Sequence, residues 1–101
     1  MPSKALSLLG MARAAGKLTV GFDAVVALAK EGKAALVVLA SDLSEKSEKE
    51  LRFLTKDIPP EIRRLPADKD EIGRAVGAQK PIGILAVSDA GFAGAITRST
   101  K

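Results

Sequence analysis

Two clusters in this sequence have the residue types and spacing that phosphate or metal chemistry would need. The first runs from Gly10 to Gly16-Lys17, which superficially has the shape of a phosphate-cradling loop. Five residues separate its glycines instead of four, and Leu18 stands where a Ser or Thr would hold magnesium, so the cluster fails as a nucleotide site. The second is Asp68, Asp70 and Glu71, three carboxylates within four residues. Acids there read more simply as the start of a helix, where they favour the positive end of its dipole, than as metal ligands. No metal site and no cofactor are expected.

The chemistry the sequence lacks is as informative. There is no His, Cys, Tyr or Trp, so the common general bases and thiol nucleophiles are missing. No Ser is followed three residues later by Lys, and no Gly-x-Gly-x-x-Gly occurs. No catalytic residue is assigned, and the expectation is a binding protein, not an enzyme. With no Cys there is neither a disulfide framework nor a thiolate metal site.

The basic side chains are the remaining chemical asset. Lys and Arg number 16 against 12 Asp and Glu, a net charge of +4. Residues 1–40 hold Lys4, Arg13, Lys17, Lys30 and Lys33 against only Asp23 and Glu31. A surplus concentrated in one part of the chain suits a polyanionic partner. Residues 41–57 balance four bases against five acids and read as a solvated helix.

At 101 residues the chain has room for one domain, 1–101. Its apolar content is 47%, yet its aromatics are three Phe, so Val, Ile, Leu and Ala must build the core. The longest apolar runs, Ala34 to Ala40 and Ile84 to Val87, are far too short to span a bilayer. No basic segment followed by an apolar signal core opens the chain. A cytoplasmic protein with no membrane partner, acting as a monomer, is the expectation.

Helical spacing of Ala5, Leu8, Leu9 and Ala12 predicts a helix over 4–15, ended by Gly16. Leu18 to Val20 allows a short strand. A second helix is expected from Phe22 to about Glu31, with so few polar positions that coverage on more than one side is predicted. Leu36-Val37-Val38-Leu39-Ala40 reads as a central strand buried on both faces, ending in the capping pair Ser41-Asp42. Ser47 and Glu50 are read as a capping box for a charged helix whose apolar face is Leu51, Leu54 and Ile58. After Pro59-Pro60, Ile62 to Leu65 suits an outer strand. Asp68 and Glu71 supply another capping box, with Ile72, Ala75 and Val76 on the buried side. Ile84 to Val87, Ser88-Asp89 and a helix over 90–98 complete the chain. Five helices alternating with about four strands predict an α/β fold, a three-layer α/β/α sandwich around a mixed sheet.

Three segments in order carry a family likeness. They are Gly16-Lys17-Leu18-Thr19-Val20-Gly21, then Lys30-Glu31-Gly32-Lys33-Ala34-Ala35-Leu36-Val37-Val38-Leu39-Ala40-Ser41-Asp42, then Glu71-Ile72-Gly73-Arg74-Ala75-Val76-Gly77. Together they resemble the ribosomal protein L-seven-Ae superfamily of kink-turn RNA-binding proteins, most closely its short bacterial YlxQ-type branch. The resemblance spans about Leu6 to Ile96. It implies an α/β/α sandwich and non-catalytic binding of structured RNA, such as a kink-turn or ribosomal RNA, in company with the ribosome or its assembly proteins. It also implies RNA docking at Gly21 through Ala27 and at Gly77 through Ile82.

The RNA-contact residues expected on these grounds are Lys17, Gly21, Phe22, Asp23, Lys30, Lys33, Lys80, Pro81 and Ile82. A helix amino end offers unpaired N–H groups to phosphate. Polar side chains there reach guanine edges only where a kink opens the deep RNA major groove. The kink-turn binders resembled carry an Asn-Glu pair after the glycine and a Lys three residues beyond the Glu. Here those positions are Asp23, Ala24 and Ala27. That departure motivates a rival reading, a protein–protein adaptor that keeps the fold without the RNA site. From the residues alone, Gly21 is either a tight turn or a ligand-facing position, and Phe22 either an exposed contact or a core anchor.

Overall fold

The computed structural model describes residues 4–100. Five helices and four strands alternate: α1 Lys4–Ala14, β1 Leu18–Val20, α2 Phe22–Lys30, β2 Leu36–Leu39, α3 Glu45–Leu54, β3 Ile62–Arg64, α4 Lys69–Ala75, β4 Ile84–Val87 and α5 Ala90–Ser99. The sheet order is β1-β4-β2-β3. Strand β4 runs antiparallel to both β1 and β2, while β3 runs parallel to β2. The sheet is therefore mixed, as expected.

Alternation along the two central strands divides the core in two. Leu36, Val38, Ala40, Leu85 and Val87 pack with Leu9, Ile72 and Ile96 from α1, α4 and α5. Val37, Leu39, Ile84 and Ala86 pack with Val25, Val26 and Leu51 from α2 and α3. Successive strand side chains point to opposite faces, so only an unbroken apolar run can serve a strand covered on both. Each fully buried Leu or Ile contributes roughly 1.5–3 kcal/mol. The result is the three-layer sandwich, with α1, α4 and α5 on one side and α2 and α3 on the other.

Several helix ends follow local chemistry. Asp68 accepts from the Glu71 amide at 2.8 Å and Glu71 accepts from the Asp68 amide at 3.0 Å, completing the expected capping box. Asp89 accepts from the Phe92 amide at 2.9 Å and starts α5. The expected Ser47–Glu50 box is not the start of α3. Ser44 is its cap, accepting from the Ser47 amide at 3.1 Å, and the helix ends at Leu54, leaving Ile58 outside it and half exposed. Both serines suit a cap; with Ser44 in that place, Glu48 falls one turn into the helix.

That position gives Glu48 two arginines. Arg64 on the edge strand donates to it, and Arg52, one turn on, binds it at 3.0 Å. Arg64 also donates to the carbonyls of Ala40 at 2.8 Å, Ser41 at 3.2 Å and Leu43 at 3.0 Å. One guanidinium thus ties the β2–α3 connection to β3. Ser41-Asp42 does not cap α3 at all. Asp42 instead accepts from the Lys69 amide at 3.0 Å, at the first residue of α4.

The Arg64 hydrogen bond holds the Glu48 carboxyl below its ordinary value, against a smaller upward push from burial and with further help from Arg52. A depressed carboxylate stabilises the fold above its unfolded pKa, and the contribution is lost as pH falls through the folded value. Glu48→Gln should therefore lose stability at neutral pH and show a shallower acid limb than the native chain. Urea midpoints measured from pH 7 down to pH 3 check this; parallel curves would exclude the clasp as a source of pH dependence.

Candidate nucleic-acid interface

The start of α2 is open. Gly21 precedes it with φ of 105°, a conformation that side-chain-bearing residues rarely adopt, and no side chain caps the helix. The turn alone therefore demands glycine. Its carbonyl accepts from the Val25 amide at 3.0 Å, while the first-turn amides of α2 meet no capping side chain. Such amides carry partial positive charge. Asp23, Ala24 and Ala27 form the exposed face beside them, opposite buried Val25, Val26 and Ala29. As its apolar composition predicts, α2 is covered on more than one side, by the sheet and by Leu51 of α3, and its alanines leave the remaining side bare.

The Gly21 amide donates to the Ile84 carbonyl at 3.2 Å, fixing the α2 start beside the first residue of β4. The α4–β4 loop, residues 76–83, is thereby brought next to it. That loop is held from several directions. The Ala78 amide donates to the Gly73 carbonyl at 2.8 Å, and the Ile82 amide to the Lys69 carbonyl at 3.0 Å. Arg13, near the end of α1, donates to the Val76 carbonyl at 2.6 Å. The Lys80 carbonyl lies so close to Gly73 that an added Cβ would meet it at 2.4 Å. Gln79, Lys80 and Pro81 are left exposed, and a shallow groove of about 300 Å³ separates them from Asp70 and Arg74.

The expected contact residues fall into two groups. Gly21, half-buried Phe22, Asp23, Lys80 and Pro81 gather at the end of the sheet where β4 begins. Phe22 packs against the α2/α3 core cluster, which settles it as an anchor with one side open. Ile82 is 4% exposed, so its side chain is a core residue and it serves the loop from below. Lys17, Lys30 and Lys33 lie at the other end. The Ser88 amide, just past β4, donates to the Lys17 carbonyl at 3.0 Å, and the Ala35 amide donates to the carbonyl of Val87, the last residue of β4, at 2.9 Å. At about 3.3 Å per residue, a strand of this length sets the two ends roughly 13 Å apart. Lys33 is further engaged by Glu31 at 3.4 Å.

Arg13 and Gly73 complete the loop's support without standing out in the sequence. Arg13 reaches a partner 63 positions away, and no local spacing announces such a bond.

Residues 3–96 match the ribosomal protein L7Ae/L30e/S12e/Gadd45 family. The chain belongs to that family. It is 32% identical to the RNA-binding protein YlxQ of Enterococcus faecium over 89% of this chain and 84% of that one. It is 27% identical to the large ribosomal subunit protein eL30 of Eremothecium gossypii, over 81% of this chain and 78% of the relative. Among solved structures, a protein of unknown function from Bacillus halodurans superposes with a TM-score of 0.87 at 29% identity, covering 98% of each chain. The Giardia lamblia 15.5kD RNA binding protein superposes with a TM-score of 0.75 at 20% identity, over 94% of this chain and 82% of that one, a likeness of fold. Both superpositions extend over nearly the whole chain.

Gly73 offers a direct test of the loop's anchoring. Gly→Ala within a helix ordinarily gains up to about 1 kcal/mol from propensity. Here the added methyl meets a backbone carbonyl, so Gly73→Ala should instead cost about 1–3 kcal/mol through overpacking. Urea unfolding of the native and variant chains decides the sign, and a stabilised variant would mean the loop yields freely.

Proposed function

We propose that this chain is a non-catalytic RNA-binding protein of the ribosome or its assembly, docking a structured RNA on the α2 start and the adjoining α4–β4 loop. The observation that carries the reading is the juxtaposition of uncapped α2 amides with the anchored, exposed Gln79-Lys80-Pro81 segment. Amides and Lys80 suit phosphate, and the α2 face beside them is free of bulky side chains that would hold a backbone off. Kinship with YlxQ and eL30 supports RNA over the adaptor reading.

The RNA fits on a surface that offers little for reading bases. Ala24 and Ala27 present methyl groups and Asp23 a carboxylate that accepts but does not donate. Binding therefore rests on phosphate and shape, with Lys17, Lys30 and Lys33 adding diffuse attraction from the far end. Ribosomal RNA, with its many folded elements, is the expected target, and the protein acts as a cytoplasmic monomer within one domain.

Phosphate contacts release counterions, so affinity for a kink-turn RNA should fall steeply between 50 and 200 mM salt. Lys80→Glu should weaken binding about tenfold, a cost of about 1.4 kcal/mol. Lys49→Glu on exposed α3 should do little. Equal losses for both would indicate attraction without a site.

Restoring the polar triad probes specificity. Asp23→Asn, Ala24→Glu and Ala27→Lys together place donors and acceptors on the open face of α2. A bidentate base contact is worth about 1–3 kcal/mol, so the triple variant should favour a kink-turn over an unkinked duplex by roughly tenfold more than the native chain does. A strong native preference, measured by competition, would instead assign discrimination to the loop and backbone.

A further inference from the structure

Four large hydrophobic side chains are exposed among the described residues, and three of them, Phe53, Leu54 and Ile58, gather at the C-terminal end of α3. Phe53 is the most open, at 64%. Helix α3 runs back from the end of β2, and Ile58 comes to rest beside Gly32, past the C-terminal end of α2. This face therefore lies at the opposite end of the molecule from the α2 start, and RNA docking there leaves it free.

The charges around Phe53 indicate what covers it. Residues three and four positions to either side of a helical residue share its face. For Phe53 these are Lys49 and Glu50 before it, and Lys56 and Asp57 after it. The last two follow the final helical residue, Leu54, but the winding continues past it. The Thr55 amide donates to the Leu51 carbonyl at 3.1 Å, and the Lys56 amide to the Phe53 carbonyl at 3.4 Å. The Lys56 ammonium stands 4.6 Å from the centre of the Phe53 ring. All four charged residues are exposed, and among the described residues none of them is in an ion pair.

Their order is plus, minus, Phe53, plus, minus. Turned end for end, each sign meets its opposite. A two-fold axis through Phe53 sets Lys49 against Asp57 of a second copy and Glu50 against Lys56 of that copy, each contact made twice. A uniformly acidic or basic protein segment meets two like charges on this face, and RNA phosphate meets two carboxylates.

We propose that this face of α3 pairs antiparallel with the same face of a second copy of the chain, Phe53 against Phe53 at the centre. Stable interfaces bury about 1,200 Å² or more, and a short helical face with one aromatic offers less. The chain is therefore a monomer when dilute and pairs with a dissociation constant of about 1 mM. Copies held side by side on a large RNA reach local concentrations of that order.

The test uses the full chain without RNA, so its outcome is separate from that of the RNA-binding reading. Amide shifts followed over a dilution series of the native chain should move at Lys49 through Ile58 and stay constant at Phe22 through Ala24. Phe53→Ser should abolish the effect. Lys49→Glu and Asp57→Lys should each weaken pairing at least tenfold, since each sets like charges together at both contacts. An equimolar mixture of those two variants restores both contacts with the signs exchanged, and should pair about as well as the native chain. Recovery in the mixture also shows that neither variant is misfolded, and the native dilution series stands without them. Shifts independent of concentration, shifts centred on another surface, or a mixture no better than its components would each overturn the pairing.

Discussion

Strand β4 has no free side, and the rest of the molecule is arranged by that fact. Its neighbours β1 and β2 both run against it, and its side chains are buried in the two clusters alternately. Whatever precedes β4 must arrive where β1 and β2 end. The α2 start follows directly from β1, so two segments 56 positions apart, at Gly21 and Gly77, are forced to one end of the sheet. The candidate interface is a consequence of strand direction before it is a property of any side chain.

The same direction explains what the sequence concealed. Apolar runs, glycine stops and the Asp68–Glu71 box are local signals, and the elements they predict are present. The box expected at Ser47 is absent because Ser44 offers the same chemistry one turn earlier, and the helix it starts carries Glu48 to Arg64 across the fold. The lysines illustrate a second limit. Lys17 is four positions from Gly21 and looks like part of one site, yet a strand between them carries it to the opposite end. Arg13 and Gly73 were unreadable as loop supports for the same reason: their partners are defined only by packing. Ile82 went the other way, from expected contact to core residue.

The interface surface is built to be held in place. Hydrogen bonds from Ala78 and Ile82, the Arg13 bond to Val76 and the close approach at Gly73 fix the loop before any partner arrives. Preordering of this kind lowers the entropy cost of binding, which suits a protein with few base-reading side chains. Far from it, Phe53 and Ile58 stay exposed near the C-terminal end of α3, with Lys56 4.6 Å from the Phe53 ring. An ammonium over a ring face is attracted by the ring's quadrupole, a contact worth about 0.5–1 kcal/mol at an exposed site.

The central claim is that the α2 start and the α4–β4 loop act as one surface. Backbone amide shifts followed while a kink-turn RNA is titrated into the labelled protein test it most directly. The account requires the largest changes at Phe22, Asp23 and Ala24 together with Gln79 and Lys80, and little at Phe53 through Ile58. Changes centred on Lys17, Lys30 and Lys33, with the α2 start and the loop undisturbed, would contradict it.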